Sequence, residues 1–283
     1  MRPLYLDTHF DGVPIGVELL REVAARGVVG CRVDLLKTTD PEAVRAMFAE
    51  CDAAGLRVLA IVRDGDQIDQ LNAIGLWTTQ AAELWNEPDI DTNRHIEPGE
   101  YSEMLTEAAY ASRAAGIPLY AGAISNLSQG GLGWLRKIKP ALDEYPEVRV
   151  SVHRYPDGGA YESWDRPHDG FATRADEVAA LKVIIGNRPW CVSETGVHTA
   201  PRITKPYGAW FASRYAWARV EARWTESEQL QQTRQDLAFW ATTDVEFVTL
   251  YQINCGPTAD SPEQFGWRRA DGTWRPVADV LRA

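Results

Sequence analysis

Apolar runs of strand length alternate with longer amphipathic, helix-like segments from one end of the chain to the other, and no other feature limits the fold as strongly. Strand-like runs fall at 4–6, 28–34, 56–62, 81–85, 117–124, 148–152, 189–193 and 245–251. Helix-like segments follow most of them, with recognisable starts such as Thr39-Asp40-Pro41-Glu42 and stops such as Gly116. Strands that alternate with helices form a parallel sheet of the α/β class, because each crossover helix returns the chain to start a strand in the same direction.

Two of these runs end in unusual chemistry. Ala81-Ala82-Glu83-Leu84-Trp85 stops at Asn86-Glu87-Pro88, and Trp190-Cys191-Val192-Ser193 stops at Glu194-Thr195-Gly196. The two glutamates are too far apart for a hairpin, and the separation suits three βα units of roughly 30 residues or more each. In a closed (β/α)8 TIM barrel all strand carboxyl ends open on one mouth, so Glu87 and Glu194 would meet there. A doubly wound sheet is the alternative, although it brings two such distant strand ends to one crevice less naturally. Barrels of about 250 residues form one domain, so residues 1–283 are expected to be a single barrel domain.

The Asn-Glu-Pro of 86–88 and the Ser-Glu-Thr-Gly of 193–196 resemble the two catalytic-strand motifs of clan A of the retaining glycoside hydrolases, which includes cellulases, mannanases and xylanases. The resemblance implies that Glu87, after Asn on the fourth strand, is the general acid/base and Glu194, on the seventh, the nucleophile. Asn86 would then reach the sugar 2-hydroxyl. Arg32 matches an arginine near the end of strand two that helps hold the nucleophile ionised; it is also the one charge inside an apolar run, VVGCRVD, which is rare without a partner. His153 and Tyr155 match a strand-six position that binds nucleophile or sugar. The family's strand-eight tryptophan, the floor of the sugar site, is replaced here by Tyr251, with Trp267 in the next loop as a candidate substitute.

The formal net charge of −11 argues against nucleic acid, whose phosphates call for a dense basic face. No apolar run approaches the roughly 20 residues that cross a bilayer, and no secretory signal precedes Leu4, so no membrane partner is expected. The chain is expected to be soluble, cytoplasmic as it stands or secreted if a signal peptide was removed, and a monomer. Cys31, Cys51, Cys191 and Cys255 show no metal or pairing pattern, and the five histidines form no ligand pair, so neither metal nor organic cofactor is expected.

The stretch 197–225 is much longer than an ordinary βα loop and is crowded with rings, including Tyr207, Trp210, Phe211, Tyr215, Trp217 and Trp224. It reads as an insert, helical over 208–223, that walls an extended sugar groove. Arg63, Arg154 and Arg166 follow strand ends and would make the mouth basic. The expected partner is therefore a carbohydrate, cleaved by double displacement; the alternative is a barrel that only binds sugar. A Lys-based Schiff-base enzyme is disfavoured, since no Lys stands at a strand end.

Overall fold

The computed structural model describes residues 2–8, 15–36, 40–73, 75, 81–91, 95–155, 167–168, 170–197, 199, 202–204, 219–222, 225–254 and 265–282. Eight parallel strands close into a barrel: β1 (Leu4–Asp7), β2 (Gly30–Asp34), β3 (Arg57–Val62), β4 (Ala81–Leu84), β5 (Leu119–Ile124), β6 (Arg149–His153), β7 (Trp190–Thr195) and β10 (Val248–Leu250). Between β7 and β10 lies a separate antiparallel ribbon of β8 (Arg202–Thr204) and β9 (Arg219–Ala222). The helices α1 (Val17–Ala25), α2 (Pro41–Ala53), α3 (Gly65–Ala73), α4 (Pro98–Ala115), α5 (Gln129–Glu144), α6 (Arg174–Ile185) and α7 (Glu226–Ala241) occupy the crossovers. The fold is the (β/α)8 barrel.

Local chemistry accounts for most helix starts. The Asp40 side chain accepts from the Glu42 N–H with Pro41 in the first turn, and both Thr173 with Asp176 and Thr225 with Glu228 form reciprocal capping boxes. The apolar faces of the helices meet outward-facing strand residues such as Val33, Val58, Val150 and Val192 in one continuous core. The β4–β5 seam has only two paired positions, Ala82 with Leu119 and Glu83 with Tyr120. Tyr101 of α4 extends that seam: its hydroxyl donates to the Leu84 carbonyl and accepts from the Gly122 N–H, both at 2.9 Å.

The last described element is a 3-10 helix, Pro276–Arg282. Two expectations change. The eighth barrel strand spans only Val248–Leu250, because its partner β1 is itself four residues long and the register with it runs from Leu4–Val248 to Leu6–Leu250. Within the 197–225 insert, 219–222 is strand and not helix; its register sets Val220 opposite Ile203, two β-branched residues that favour extended backbone. Trp210 and the insert's other rings lie outside the described residues, as do Arg166 and Cys255.

Candidate active site

Strand register assembles the mouth. Asp7 pairs with Arg32 across β1 and β2, and His153 pairs with Glu194 across β6 and β7. The second pairing depends on a bulge: Val152 faces Val192, yet the next residue, His153, faces Glu194, so Ser193 is an extra residue in β7. The β7–β10 register shows the same extra residue, passing from Val192–Val248 to Thr195–Leu250. A bulge re-aims the side chains beyond it, and here it sets Glu194 level with His153. Gly196 follows because the Tyr251 carbonyl oxygen lies 2.5 Å from where a Cβ would stand.

Glu87 is held by unusual backbone. Its φ is 48° and that of Trp85 is 65°, left-handed values that cost of order 1–3 kcal/mol each outside glycine. The Trp85 N–H donates to Val62 O at 2.8 Å, and the Glu87 N–H donates to Ala123 O at 3.1 Å. Ala123 is in turn the extra residue of a β5 bulge, with φ 37°. Conformations of this kind cluster where a side chain must be aimed rather than packed.

Arg32 is the hub. It is 1% exposed, and each of its five N–H donors has an acceptor. Nε donates to Glu83 Oε2 at 2.6 Å, Nη1 to Glu194 Oε2 at 2.7 Å and Asp7 Oδ2 at 3.0 Å, and Nη2 to Asn86 Oδ1 at 2.7 Å. The fifth contact is His153 Nε2, 3.3 Å from Nη2. A guanidinium only donates, so this nitrogen must carry its lone pair, and the neutral imidazole fits only as the Nδ1–H tautomer. Nδ1 then donates to Glu87 Oε1 at 3.1 Å and lies 3.7 Å from Glu194 Oε2. Arg32 likewise orients the Asn86 amide, taking its oxygen and leaving its NH2 to donate elsewhere.

Charge follows from this geometry. Burial pushes the Glu194 carboxyl up, but His153, Arg32 and the hydrogen bonds from Tyr155 and Arg32 outweigh it and hold the pKa below the ordinary glutamate value. Burial opposes charge on His153 as well, yet Glu194 and Glu87 raise its pKa above the usual imidazole value. Burial, then Glu194, lifts the Tyr155 phenol well above its ordinary range, so it stays a donor. Because the folded pKa of Glu194 is depressed, its contribution to stability is present above the ordinary glutamate pKa, about 4.3, and disappears as pH falls through the folded value. We expect the Glu194 side-chain carbon to titrate, by NMR, with a midpoint below about 4.3; a midpoint at or above it would contradict the electrostatics drawn here.

Ligand atoms of Glu87, His153 and Glu194 all lie within 4.8 Å of one another, a spacing that a metal ion could also bridge. The fit is poor: Arg32 already donates to Glu194 Oε2 and contacts His153, placing a fixed positive charge against that position.

Of the residues singled out in the sequence, Arg32, Asn86, Glu87, His153, Tyr155 and Glu194 form one connected group. Tyr251 stands beside it through Phe265, whose ring meets Tyr251 at 5.4 Å and Tyr155 at 5.5 Å. Trp267 does not join them: it is 2% exposed and packs in the core. Arg154 is also turned away from the mouth, fully buried with Nε donating to Glu177 Oε2 at 3.3 Å, so it adds no basic surface. Asp7, Glu83 and Phe265 escaped the sequence reading. For Glu83 the signal was present, a charge inside the apolar run 81–85, the same anomaly that marked Arg32.

No protein-family model matches the chain, and no curated protein matches it. Solved structures do. A family 39 glycoside hydrolase from Bacteroides cellulosilyticus WH2 aligns with a TM-score of 0.73 and 16% identity over 99% of this chain, which spans 63% of that protein's length. A family 128 endo-β-1,3-glucanase from Amycolatopsis mediterranei, in complex with laminarihexaose, aligns at 0.63 and 15% identity over 100% of this chain and 99% of its own. A mannanase catalytic domain from Streptomyces sp. SirexAA-E aligns at 0.62 and 16% identity, over 100% and 86%. At these identities the likeness establishes a shared (β/α)8 fold.

Proposed function

We propose that this chain is a retaining glycoside hydrolase acting on β-linked oligo- or polysaccharides, with Glu194 as nucleophile and Glu87 as acid/base. The observation that carries the reading is the facing pair itself: an oxygen of Glu87 and one of Glu194 lie within 4.8 Å, with Arg32 on Glu194 and His153 on Glu87. Carboxyl groups about 5–5.5 Å apart suit direct attack on the sugar, whereas inversion needs about 6.5–9.5 Å to admit a water. Glu194, held ionised, attacks the anomeric carbon while protonated Glu87 passes its proton to the leaving oxygen. The covalent glycosyl ester is then cleaved by water, which Glu87, now a carboxylate, deprotonates.

The remaining residues take roles around that exchange. His153 Nδ1–H occupies one oxygen of Glu87, so the acid proton resides on the other. The Asn86 NH2, oriented by Arg32, is placed to donate to the sugar 2-hydroxyl, a bond that strengthens in the transition state. Tyr155 keeps Glu194 in place, and Tyr251 with Phe265 supplies rings for the sugar to rest on. Neighbours named as an endo-β-1,3-glucanase and a mannanase support a β-linked glycan as substrate. Trp210 and the other rings of the insert are proposed to extend the groove to further sugar units.

A panel of aryl β-glycosides and β-glucans tests the reading, with NMR identifying the anomer released first; a retained anomer is expected, and no turnover across the panel would favour sugar binding alone. Glu87→Ala should reduce cleavage of substrates with poor leaving groups by about 10²–10⁴-fold. Substrates with good leaving groups should lose much less in glycosylation, and azide should restore turnover as a glycosyl azide. Equal losses for both substrate types would remove Glu87 from the acid/base role.

A further inference from the structure

Glu83 is wholly buried inside the barrel, three residues before Asn86 in the chain. It belongs to β4, where its register partners are Ile61 and Tyr120. Oε2 accepts from Arg32 Nε at 2.6 Å, while Oε1 has no hydrogen-bond partner among the described residues. A buried carboxylate oxygen without a donor costs on the order of 1–3 kcal/mol or more, so the residue is an expensive way to hold one N–H. Its neighbours Ala82 and Leu84 show that the strand otherwise carries apolar side chains.

The position of that one bond explains the choice. Nε is the root of the guanidinium fork; fixing it in the plane of the group sets where Nη1 and Nη2 point. Asp7 shares Nη1 with Glu194, so it adds no separate point that fixes the plane of the fork, and the anchors on Nη2, Asn86 and His153, are themselves groups that Arg32 orients. With Nε tied to Glu83, Nη1 is directed at Glu194 and Nη2 at Asn86 and His153. Glu83 also places a negative charge on Arg32, which dilutes the positive charge that Glu194 feels. The two effects oppose each other, one through geometry and one through charge.

We propose that Glu83 is a positioning residue for the nucleophile, acting through Arg32. This rests on the glycosidase reading for its kinetic consequence, though not for its electrostatic one. Two substitutions separate the effects. Glu83→Gln keeps an oxygen for Nε and removes the charge, so Arg32 acts more strongly on Glu194 and the Glu194 titration moves to lower pH, with kcat within a few-fold of the parent. Glu83→Ala releases the fork: the Glu194 titration moves up towards the ordinary glutamate range, and kcat falls about 10²-fold, the usual cost of a displacement near 1 Å, with KM little changed.

NMR titration of Glu194 in the free protein reads the coupling without any substrate, so failure of the glycosidase reading leaves that measurement intact. Shifts in opposite directions for the two variants are the expected result. If Glu83→Ala does not fold, Glu83→Leu, which fills the space and offers Nε no acceptor, takes its place with the same expected upward shift. A Glu194 midpoint that falls in the releasing variant as it does in Glu83→Gln overturns the proposal and leaves Glu83 as a counter-charge of Arg32 without a positioning role.

Discussion

Glu194→Gln is expected to lower kcat by about 10⁵-fold or more, the scale seen when a nucleophile is removed, while the protein keeps its fold. The amide has the same shape as the carboxylate; its oxygen can accept from Arg32 Nη1, and its NH2 can donate to the Tyr155 hydroxyl, which accepts as well as donates. Arg32 retains Asp7 and Glu83 as buried counter-charges. The nucleophile is lost, the packing is not. A 2-fluoro glycosyl inactivator should label the parent protein on Glu194, located by mass spectrometry of its peptides, and leave Glu194→Gln unlabelled. Label on another residue, or a variant within ten-fold of the parent, would sink the assignment.

Arg32→Met should have the largest effect on stability. The substitution leaves Asp7, Glu83 and Glu194 around a methionine, three carboxylates whose side chains are at most 11% exposed. Removing one partner of a buried ion pair typically costs 3–5 kcal/mol, which is a large share of a total stability of about 5–15 kcal/mol. The sign with pH is specific. In the parent, His153 and Arg32 depress the Glu194 pKa against burial; without Arg32 the balance moves toward burial and the Glu194 pKa rises, so the penalty of the uncompensated charge is present at neutral pH and relieved as pH falls and a proton is taken up. Urea unfolding at pH 7 and pH 5 should show a deficit that shrinks at the lower pH. A midpoint equal to the parent's at pH 7, or a deficit that ignores pH, would show that Arg32 is not the counter-charge of the cluster. Arg32→Lys should rescue little, because one ammonium has three donors and cannot span five acceptors.

Much of the site was legible because its chemistry leaves marks in linear sequence. A charge inside an apolar run, as at Arg32, or a carboxylate at the end of one, as at Glu87 and Glu194, departs from what a buried strand needs, and the departure is visible without coordinates. His153 and Tyr155 were singled out through the family resemblance, at and just after the end of β6. The places of Trp267 and Arg154 were not legible for the converse reason. Being an aromatic or a cation near a strand end does not say which way a side chain turns, and here one packs in the core and the other pairs with Glu177.

What the sequence determined by itself was the alternation that makes a parallel barrel and the pair of strand-end glutamates, since periodicity and residue type are local properties of the chain. What only the tertiary structure decided was how those residues face one another. The extra residue Ser193 in β7, read against both neighbouring strands, brings Glu194 level with His153, and the left-handed backbone at Trp85 and Glu87 aims the second carboxylate. The allocation of Arg32's five donors, and with it the His153 tautomer and the roles of Asp7 and Glu83, depends on register across strands far apart in sequence. A one-residue change of register reverses the face a side chain occupies, and the sequence of a single strand does not encode where its neighbours stand.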